Sequence, residues 1–526
     1  MKKPDQTLRP ELSELNDRLY CRCDENRPEA VTMRRKKNQR TVWENVNDLL
    51  DPESLIEYGA LTIAAQRSRR SVDDLIKKTP SDGLITGLGT VNADKFEEQD
   101  ARCMVIAYDF TVLAGTQGYF NHKKTDRLLH LADKHRIPLV LFAEGGGGRP
   151  GDTDADGVMI TGLDLTTFSK FAGLSGKIPL VGIVSGFCFA GNAALLGSCD
   201  IIIAAKKSNI GMGGPVMIEC GGLGKFTPEE IGPANVQYGN GVIDILVEDE
   251  TEAVSAAKQY LSYFQGDIKE WKAADQEQLR DLIPERRRMA YDVRNIINVI
   301  SDKGSFLELK SGFGQGLISG LIRIQGKPFG ILANNCQYMG GTIQPAEADK
   351  AARLMQICNA HGLPVLSLID TPGFMVGPDV ESQAQVRHVC RMFINGSHLS
   401  VPFFSVVLRR GYGLGAMAMA CGGFHAPFFT AAWPTGEFGP MGIEGAVKAG
   451  YKKELSAIED SEEKEAFFNK MVSQYYEQGK ALNIASYMEI DSVIDPAETR
   501  DWVIKGLRSA DYSKDKRTFS PFIDSW

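Results

Sequence analysis

The chain has 526 residues, 43% of them hydrophobic and 24% charged, with a formal net charge of −8. This is the composition of a folded globular protein, with room for two large domains or three to four ordinary ones. The acidic balance gives no bulk attraction to nucleic acid, and no run of 18 apolar residues exists to enter a membrane.

In chain order, residues 1–80 read as charged and helical, without strand alternation. Asp5, Glu11, Glu14 and Asp17, with no apolar segment behind them, argue against a secretory or transit peptide, so the expected location is cytoplasmic. Residues 1–40 are expected to form a helical extension. Its basic run, Arg34-Arg35-Lys36-Lys37 with Arg40, reads as a solvated helix face. The ten cysteines are scattered, and Cys21-x-Cys23 has no second pair to complete a zinc site. The thiols are therefore expected to be reduced and mostly buried, and no metal is expected.

From Val42 the apolar positions follow helical spacing, and Asp51-Pro-Glu-Ser54 then turns the chain into Leu55-Ile56-Glu57. The same order returns from Val293, ending in Asp302-Lys-Gly-Ser305 and Phe306-Leu307-Glu308. Further on in each half, short apolar runs alternate with amphipathic helices. The run 138–143 ends at Glu144 and a glycine cluster, and 178–184 ends at Ser185-Gly186. The run 365–369 ends at Asp370-Thr371-Pro372-Gly373, and 401–408 at Arg409-Arg410-Gly411. Apolar strand, glycine, then helix is the pattern of βα units with buried strands, so the fold class is α/β.

These elements occur twice. Gly83-Leu84-Ile85-Thr86-Gly87-Leu88 returns as Gly316-Leu317-Ile318-Ser319-Gly320-Leu321. Residues 106–144 lie on residues 332–370 at a constant offset of 226 without a gap. That register matches Ala107/Ala333, Gly115/Gly341, Thr116/Thr342, Lys124/Lys350, Arg127/Arg353, Leu128/Leu354, His135/His361 and Pro138/Pro364. Unrelated sequences would share roughly two or three residues in such a window. Two similar domains are expected, at 41–275 and 276–526, joined within the charged stretch 265–290. A cleft between two pseudo-equivalent halves is a natural two-substrate site.

The glycine clusters are where chemistry is expected, because ligands of βα units gather at the carboxyl ends of the strands. Gly145 to Gly148 with Arg149 follows one strand, and Gly186 to Asn192 follows the next and runs into a helix at Ala193. Thr371 to Phe374 and Gly411 to Ala416 are their counterparts. Glycine at a helix start leaves backbone N–H groups unpaired, and two such groups, one per loop, can hold an oxyanion. The simpler reading, that these glycines only permit tight turns, loses ground when four clusters recur at matched places. Gly146-x-Gly148-x-x-Gly151 fits a dinucleotide fingerprint literally, but Pro150 and an acidic segment follow where a helix should start. Lys124 and Arg127, with Lys350 and Arg353, read as one helix face more than as phosphate ligands. His135 and His361 read as helix-terminal.

With these residues in place, the chain resembles the biotin-dependent acyl-CoA carboxyltransferases. The segment Tyr108 to Thr116, with Gly118, His122, Lys124 and Arg127, resembles their "DFTV-x-GGT" segment, and Glu144 to Arg149 their "SGGAR" loop. Ser185 to Asp200 resembles "GPCAGGA…D", and Ile369 to Phe374 with Gly377 resembles "DxPGF-x-x-G". Arg387-His388, Arg410-Gly411-Tyr412-Gly413, Ala432-Trp433-Pro434-Thr435 and Met441 to Ala446 match in order, and the likeness covers roughly residues 40–526.

The resemblance implies tandem ClpP/crotonase-like domains of ββα superhelix type. It also implies a homohexamer, a dimer of trimers, with sites between the N-domain of one subunit and the C-domain of another. CO2 would pass from carboxybiotin to the carbon alpha to the thioester of an acyl-CoA. Two backbone oxyanion holes would serve the thioester enolate and the biotin ureido oxygen. Carried over, the holes fall on Gly147, Gly148, Ala190 and Gly191, and on Gly373, Phe374, Leu414 and Gly415. Arg149, Phe189, Tyr412, Ala416 and Met417 would line the substrate.

This sequence departs from the family at several places. Ala190 and Leu414 stand where the family often has glycine. Met417 stands where acetyl- and propionyl-CoA members often carry an acid, which argues against a short acyl group. Asp152, Asp154 and Asp156 have no counterpart and read as a solvated loop. Ala416-Met-Ala-Met-Ala420 has no biotin-accepting lysine, so biotin on a separate carrier protein and a biotin carboxylase are expected partners. A biotin-dependent decarboxylase component and a silent scaffold subunit are the alternatives. A one-domain crotonase hydratase would need a Glu pair that Glu144 alone does not supply.

Overall fold

A computed structural model describes residues 9–152, 154, 163–510 and 521–526; Asp156 lies outside the described residues. The chain divides into two compact units, Met1–Gln265 with Ser525, and Gly266–Asp524 with Trp526. The division comes before the expected 275/276 because the stretch after Gly266 is stitched into the second unit. Ile268 N–H donates to Gly326 O at 3.0 Å, and Lys303 N–H to Lys272 O at 2.7 Å.

The strands of the first unit are β1 (Ile56–Glu57), β2 (Leu84–Thr90), β3 (Arg102–Tyr108), β4 (Leu139–Phe142), β5 (Leu180–Val184), β6 (Phe187–Phe189), β7 (Ile201–Ala205), β8 (Asn209–Gly211) and β9 (Ile245–Val247). Seven form one sheet in the order β1-β2-β3-β4-β5-β7-β9, and β6 pairs with β8. The sheet opens with antiparallel pairs and continues parallel from β3 onward. β1 shows that residues 1–80 are not all helical, although its two residues are too few to show alternation.

The second unit repeats the plan with β10 (Leu307–Leu309), β11 (Leu317–Ile324), β12 (Lys327–Asn334), β13 (Val365–Thr371), β14 (Phe403–Tyr412), β15 (Phe429–Ala432), β16 (Glu437–Gly439) and β17 (Ser492–Val493). Their order is β10-β11-β12-β13-β14-β15-β17, with β16 on the end of β14. The register repeats residue for residue: Met104 faces Leu139, and Gly330 faces Val365, both 226 positions later. The central parallel strands β4, β5, β7 and β13 are buried along their length, as near-continuous apolar runs require. Each unit has its own apolar core, around Leu141 and Leu196 in one and Leu368 and Trp433 in the other.

The long helices Tyr119–His135 and Pro345–His361 also correspond, each closing on a left-handed residue, Arg136 or Gly362. Lys124 and Lys350 do not form an outer face. Both are buried and donate to carbonyls of tight turns, Lys124 to Ser81 O at 2.9 Å and Lys350 to Phe313 O at 3.0 Å. Arg127 is exposed while Arg353 is buried, so that shared position has no single role.

The N-terminal helices belong to the first unit rather than forming a separate extension. The expected solvated face is partly wrong. On the helix Pro28–Lys36, Arg34 is only 4% exposed and pairs with Glu144 at 2.8 Å, while Arg35 to Lys37 stay exposed. The next helix, Val42–Leu49, starts on a capping box between Thr41 and Glu44.

Candidate active site

The two units present the same pair of loops at their strand ends. After β4, Gln117 N–H donates to Gly147 O at 2.7 Å and Arg149 N–H donates to Gln117 O at 2.9 Å. After β13, Ile343 N–H donates to Gly373 O at 3.1 Å and Met375 N–H to Ile343 O at 2.9 Å. The middle residue of each bridge, Gly148 or Phe374, has no partner for its own N–H among the described residues.

The second loop enters a helix, Gly191–Gly197 or Gly413–Met419. N–H groups of a first helical turn have no intrahelical acceptor. Those of Gly191 and Leu414 find no acceptor elsewhere among the described residues either. Ala190 and Gly413 hold the corner with φ of 51° and 58°.

Glycine lets the two loops of each unit touch. A Cβ on Gly147 would fall 2.6 Å from Ala190 Cβ and 3.5 Å from Gly191 N. A Cβ on Gly415 would fall 2.7 Å from Gly373 Cα and 2.9 Å from Phe374 N. Each unit therefore offers at least two unpaired N–H groups, among the described residues, from two loops in contact, which is the construction of an oxyanion hole.

Of the eight expected backbone positions, three are committed elsewhere. Gly147 N–H donates to Asn192 Oδ1 at 3.0 Å, Ala190 N–H to Gly211 O at 3.1 Å, and Gly373 N–H to Thr371 Oγ1 at 3.1 Å. Gly415 contributes through its missing Cβ. Among the expected positions the open donors are Gly148 and Gly191 in one unit, and Phe374, Leu414 and Gly415 in the other.

Four of the five expected substrate-lining side chains point inward. Arg149 has a 4% exposed side chain, pairs with Asp82 at 2.5 Å, and donates to Thr116 O at 2.8 Å. It braces the glycine loop. Burial raises the Asp82 carboxyl to about 6 against the pull of Arg149. Phe189 is buried and stacks on Phe187. Tyr412 is buried with its hydroxyl on Glu437 Oε2 at 2.9 Å, and burial and then Glu437 push its phenol upward. Ala416 is fully buried.

Met417 lines open space. A cavity of about 790 Å³ lies beside Gly411 and Gly413, walled by Met417, Phe424, Phe438, Met441, Ile443 and Ile484 among others. Asp152 and Asp154 are not solvated either: Asp152 accepts from Tyr119 N–H at 2.9 Å, and Asp154 from Ser68 N–H at 3.0 Å.

Sequence reasoning missed the residues that hold the loops. Asn192, fully buried, ties Gly147 to the second loop. Gln385 donates to Ile343 O at 3.1 Å and Met375 O at 3.0 Å, clamping the bridge around Phe374. Asn192 lay inside a glycine cluster and could have been found. Gln385 had no local signal, because its partners lie elsewhere in the chain.

Glu144 and Asp370 anchor the strand ends. Burial raises the Glu144 carboxyl, opposed by Arg34. At Asp370 burial is outweighed: Arg410 and Arg409 hold the carboxyl below the usual carboxylate range.

The comparisons agree with this architecture. The model of the carboxyl transferase domain matches residues 33–521. An uncharacterised carboxylase of Bacillus subtilis is 34% identical over 84% of this chain and 86% of its own. The methylmalonyl-CoA carboxyltransferase 12S subunit of Propionibacterium freudenreichii subsp. shermanii is 30% identical over 91% of this chain and 90% of its own. A solved single-chain, multi-domain long-chain acyl-CoA carboxylase matches 95% of this chain with a TM-score of 0.90 and 54% identity. This chain spans about half of that one, 49%. A transcarboxylase 12S structure, a hexamer with methylmalonyl-coenzyme A bound, matches 99% of this chain and 100% of its own with a TM-score of 0.83 and 27% identity. With the duplicated α/β units and their paired strand-end loops, these matches identify the chain as a member of the carboxyl transferase family, the biotin-dependent acyl-CoA carboxyltransferases with two crotonase-like domains in tandem.

Proposed function

We propose that the chain moves CO2 from carboxybiotin, held on a separate carrier protein, to the α carbon of an acyl-CoA. The observation that carries this reading is the set of open N–H donors in each unit. One set suits a thioester oxygen that becomes an enolate oxygen, and the other suits a ureido oxygen. Assigning Gly148 and Gly191 to the thioester follows the family resemblance. Carboxybiotin supplies the CO2 and then the nitrogen that accepts the α proton. The chain holds both oxyanions on backbone donors fixed by the loops, and each such donor is worth roughly 10²–10³ in rate. The buried side chains around them keep the loops in place, so the site needs little rearrangement on reaction.

Met417 and the apolar cavity beside the second hole favour an acyl group longer than acetyl or propionyl. Each buried methylene would add about 0.8 kcal/mol of binding. The 54% identical neighbour is named for long-chain acyl-CoA, which supports the same direction. A biotin carboxylase and a biotin carboxyl carrier protein are the proposed partners, and a homohexamer in the cytoplasm the proposed assembly. The hexameric 12S relative and the absence of any membrane-crossing helix among the described residues are in keeping with this.

The test supplies the purified protein with free biotin and a panel of malonyl-, methylmalonyl-, ethylmalonyl- and longer carboxyacyl-CoAs. Biotin-dependent release of acyl-CoA, increasing with chain length, is the expected outcome. A folded, assembled protein inert towards the whole panel would leave a scaffold subunit as the better reading.

A further inference from the structure

Glu144 and Asp370 stand 226 positions apart and occupy the same place in the repeat, one residue ahead of each strand-end loop. Both are buried carboxylates. Asp370 is neutralised from within its own unit: Arg409 reaches it at 2.9 Å and Arg410 at 2.7 Å, both from β14. On the neighbouring strand the two units are related by 223 positions, as Ile183 opposite Phe142 and Val406 opposite Leu368 show. Arg409 and Arg410 therefore fall on Gly186 and Phe187. Neither can serve Glu144. A Cβ on Gly186 would already overlap Glu144 Oε1, and Phe187 stacks on Phe189.

The missing guanidinium comes from 110 residues upstream. Arg34 donates to Glu144 Oε1 at 2.8 Å and to Arg40 O at 2.7 Å, and lies 3.9 Å from Glu250. Gln39, from the same segment, donates to Ser185 O at 2.8 Å, fixing the neighbouring strand end. The chain between Arg34 and Gln39 thus grips both strands that carry the first hole. From Glu144 the backbone runs directly into Gly145, whose N–H donates to Phe187 O at 2.8 Å, and on to Gly147 and Gly148.

We propose that Arg34 is a positioning residue for carboxyl transfer: its pairing with Glu144 replaces the arginine pair of the second unit and sets the pose of the Gly148 N–H. This rests on the carboxyltransferase reading above. Arg34 touches neither reacting atom. It acts through Glu144 and the loop, and a small displacement of a positioned group can cost about a hundredfold in rate.

The experiment compares the full chain with Arg34→Met, Arg34→Lys and, as a control, Lys36→Met, an exposed basic side chain of the same helix. Biotin-dependent turnover of a carboxyacyl-CoA and amide hydrogen exchange at Gly145 and Gly147 are both measured. Arg34→Met is expected to lower kcat by roughly tenfold to a hundredfold with KM nearly unchanged, and to raise exchange at both glycines. Arg34→Lys should recover part of kcat, because it keeps the charge and loses the second donor. Lys36→Met should match the unaltered chain. Arg34→Met with unaltered kcat per folded molecule and unaltered exchange overturns the proposal. If the unaltered chain itself has no turnover, the carboxyltransferase reading fails, and the exchange data alone decide whether Arg34 sets the loop.

Discussion

Ala190 and Gly413 occupy the same corner of two strand-to-helix loops, with φ of 51° and 58°. Only one of them is glycine. At Ala190 ψ is −121°, a region that residues with a Cβ populate at a cost of about 1–3 kcal/mol. Replacing it with glycine removes that strain and adds about 0.5–1 kcal/mol of chain entropy loss. Ala190→Gly is therefore expected to be more stable by about 1 kcal/mol in urea denaturation, with turnover retained because the Gly191 N–H stays. Gly413→Ala should lose more than that, since its Cβ would meet Pro440 O at 2.8 Å. A less stable Ala190→Gly protein would show that the corner is not strained.

Leu414 is 61% exposed and is expected to act through its N–H, not its side chain. Leu414→Ala should leave kcat within about twofold. Leu414→Pro removes the N–H at an early helical position that tolerates proline, and should lower kcat by roughly 10²–10³. The companion pair lies in the first unit. A Cβ on Gly148 would meet nothing within 4 Å, so Gly148→Ala should turn over normally, whereas Gly147→Ala, at φ 87° and facing Ala190, should not fold its loop. Equal kcat values for Leu414→Ala and Leu414→Pro would remove Leu414 from the hole.

The loops were legible in the sequence because their geometry demands glycine. Gly147, Gly373 and Gly415 each stand where a positive φ or a touching backbone excludes a Cβ. The strands were legible because parallel strands buried on both faces leave continuous apolar runs. The donors could not be told from their neighbours. Gly147 and Gly148 are the same residue type, and only the bond to Asn192 separates them. Arg34 was misread because three of its four basic neighbours in that run and beyond it are exposed, and a helix with a weak amphipathic pattern does not show which position turns inward. The bracing role of Arg149 was not legible because its partner, Asp82, lies 67 residues away.

Arg149 and Asp82 form an enclosed pair, with side chains 4% and 0% exposed. Removing one partner of such a pair strands a buried charge and typically costs about 3–5 kcal/mol, whereas removing both can be nearly neutral. Arg149→Met is expected to destabilise the chain by an amount in that range, and Arg149→Met with Asp82→Asn by clearly less. Unfolding in denaturant for the single and double variants measures the coupling. Additive losses would mean that the two side chains do not depend on each other.

The proposed preference for longer acyl groups can be tested at Met417. Met417→Asp puts a carboxylate on the wall of an apolar cavity, where an aliphatic chain cannot compensate its desolvation. Turnover of long carboxyacyl-CoAs is expected to fall by at least about tenfold relative to methylmalonyl-CoA. Unchanged relative rates along the chain-length series would place the acyl group elsewhere.

Lys350 offers a test by pH. Burial lowers its amine from the ordinary 10.5 to about 7, with Glu308 and Glu347 opposing and Arg294 and Lys310 assisting. Below about 7 both folded and unfolded chains carry the proton, and the burial penalty is felt in full. Between about 7 and 10.5 the unfolded chain keeps the proton that the folded chain has released. The unfolded state then binds more protons, so stability rises with pH across that window. Lys350→Met lacks this contribution, while every other titrating group is common to both proteins. The difference in unfolding free energy between Lys350→Met and the unaltered chain should therefore move steadily in favour of the unaltered chain from pH 7 to 10, by up to a few kcal/mol, about 1.4 kcal/mol per unit while the window lasts. Stability curves that run parallel over this range would mean that the amine stays charged where it is buried, held by the carbonyls of Phe313 and Gly314.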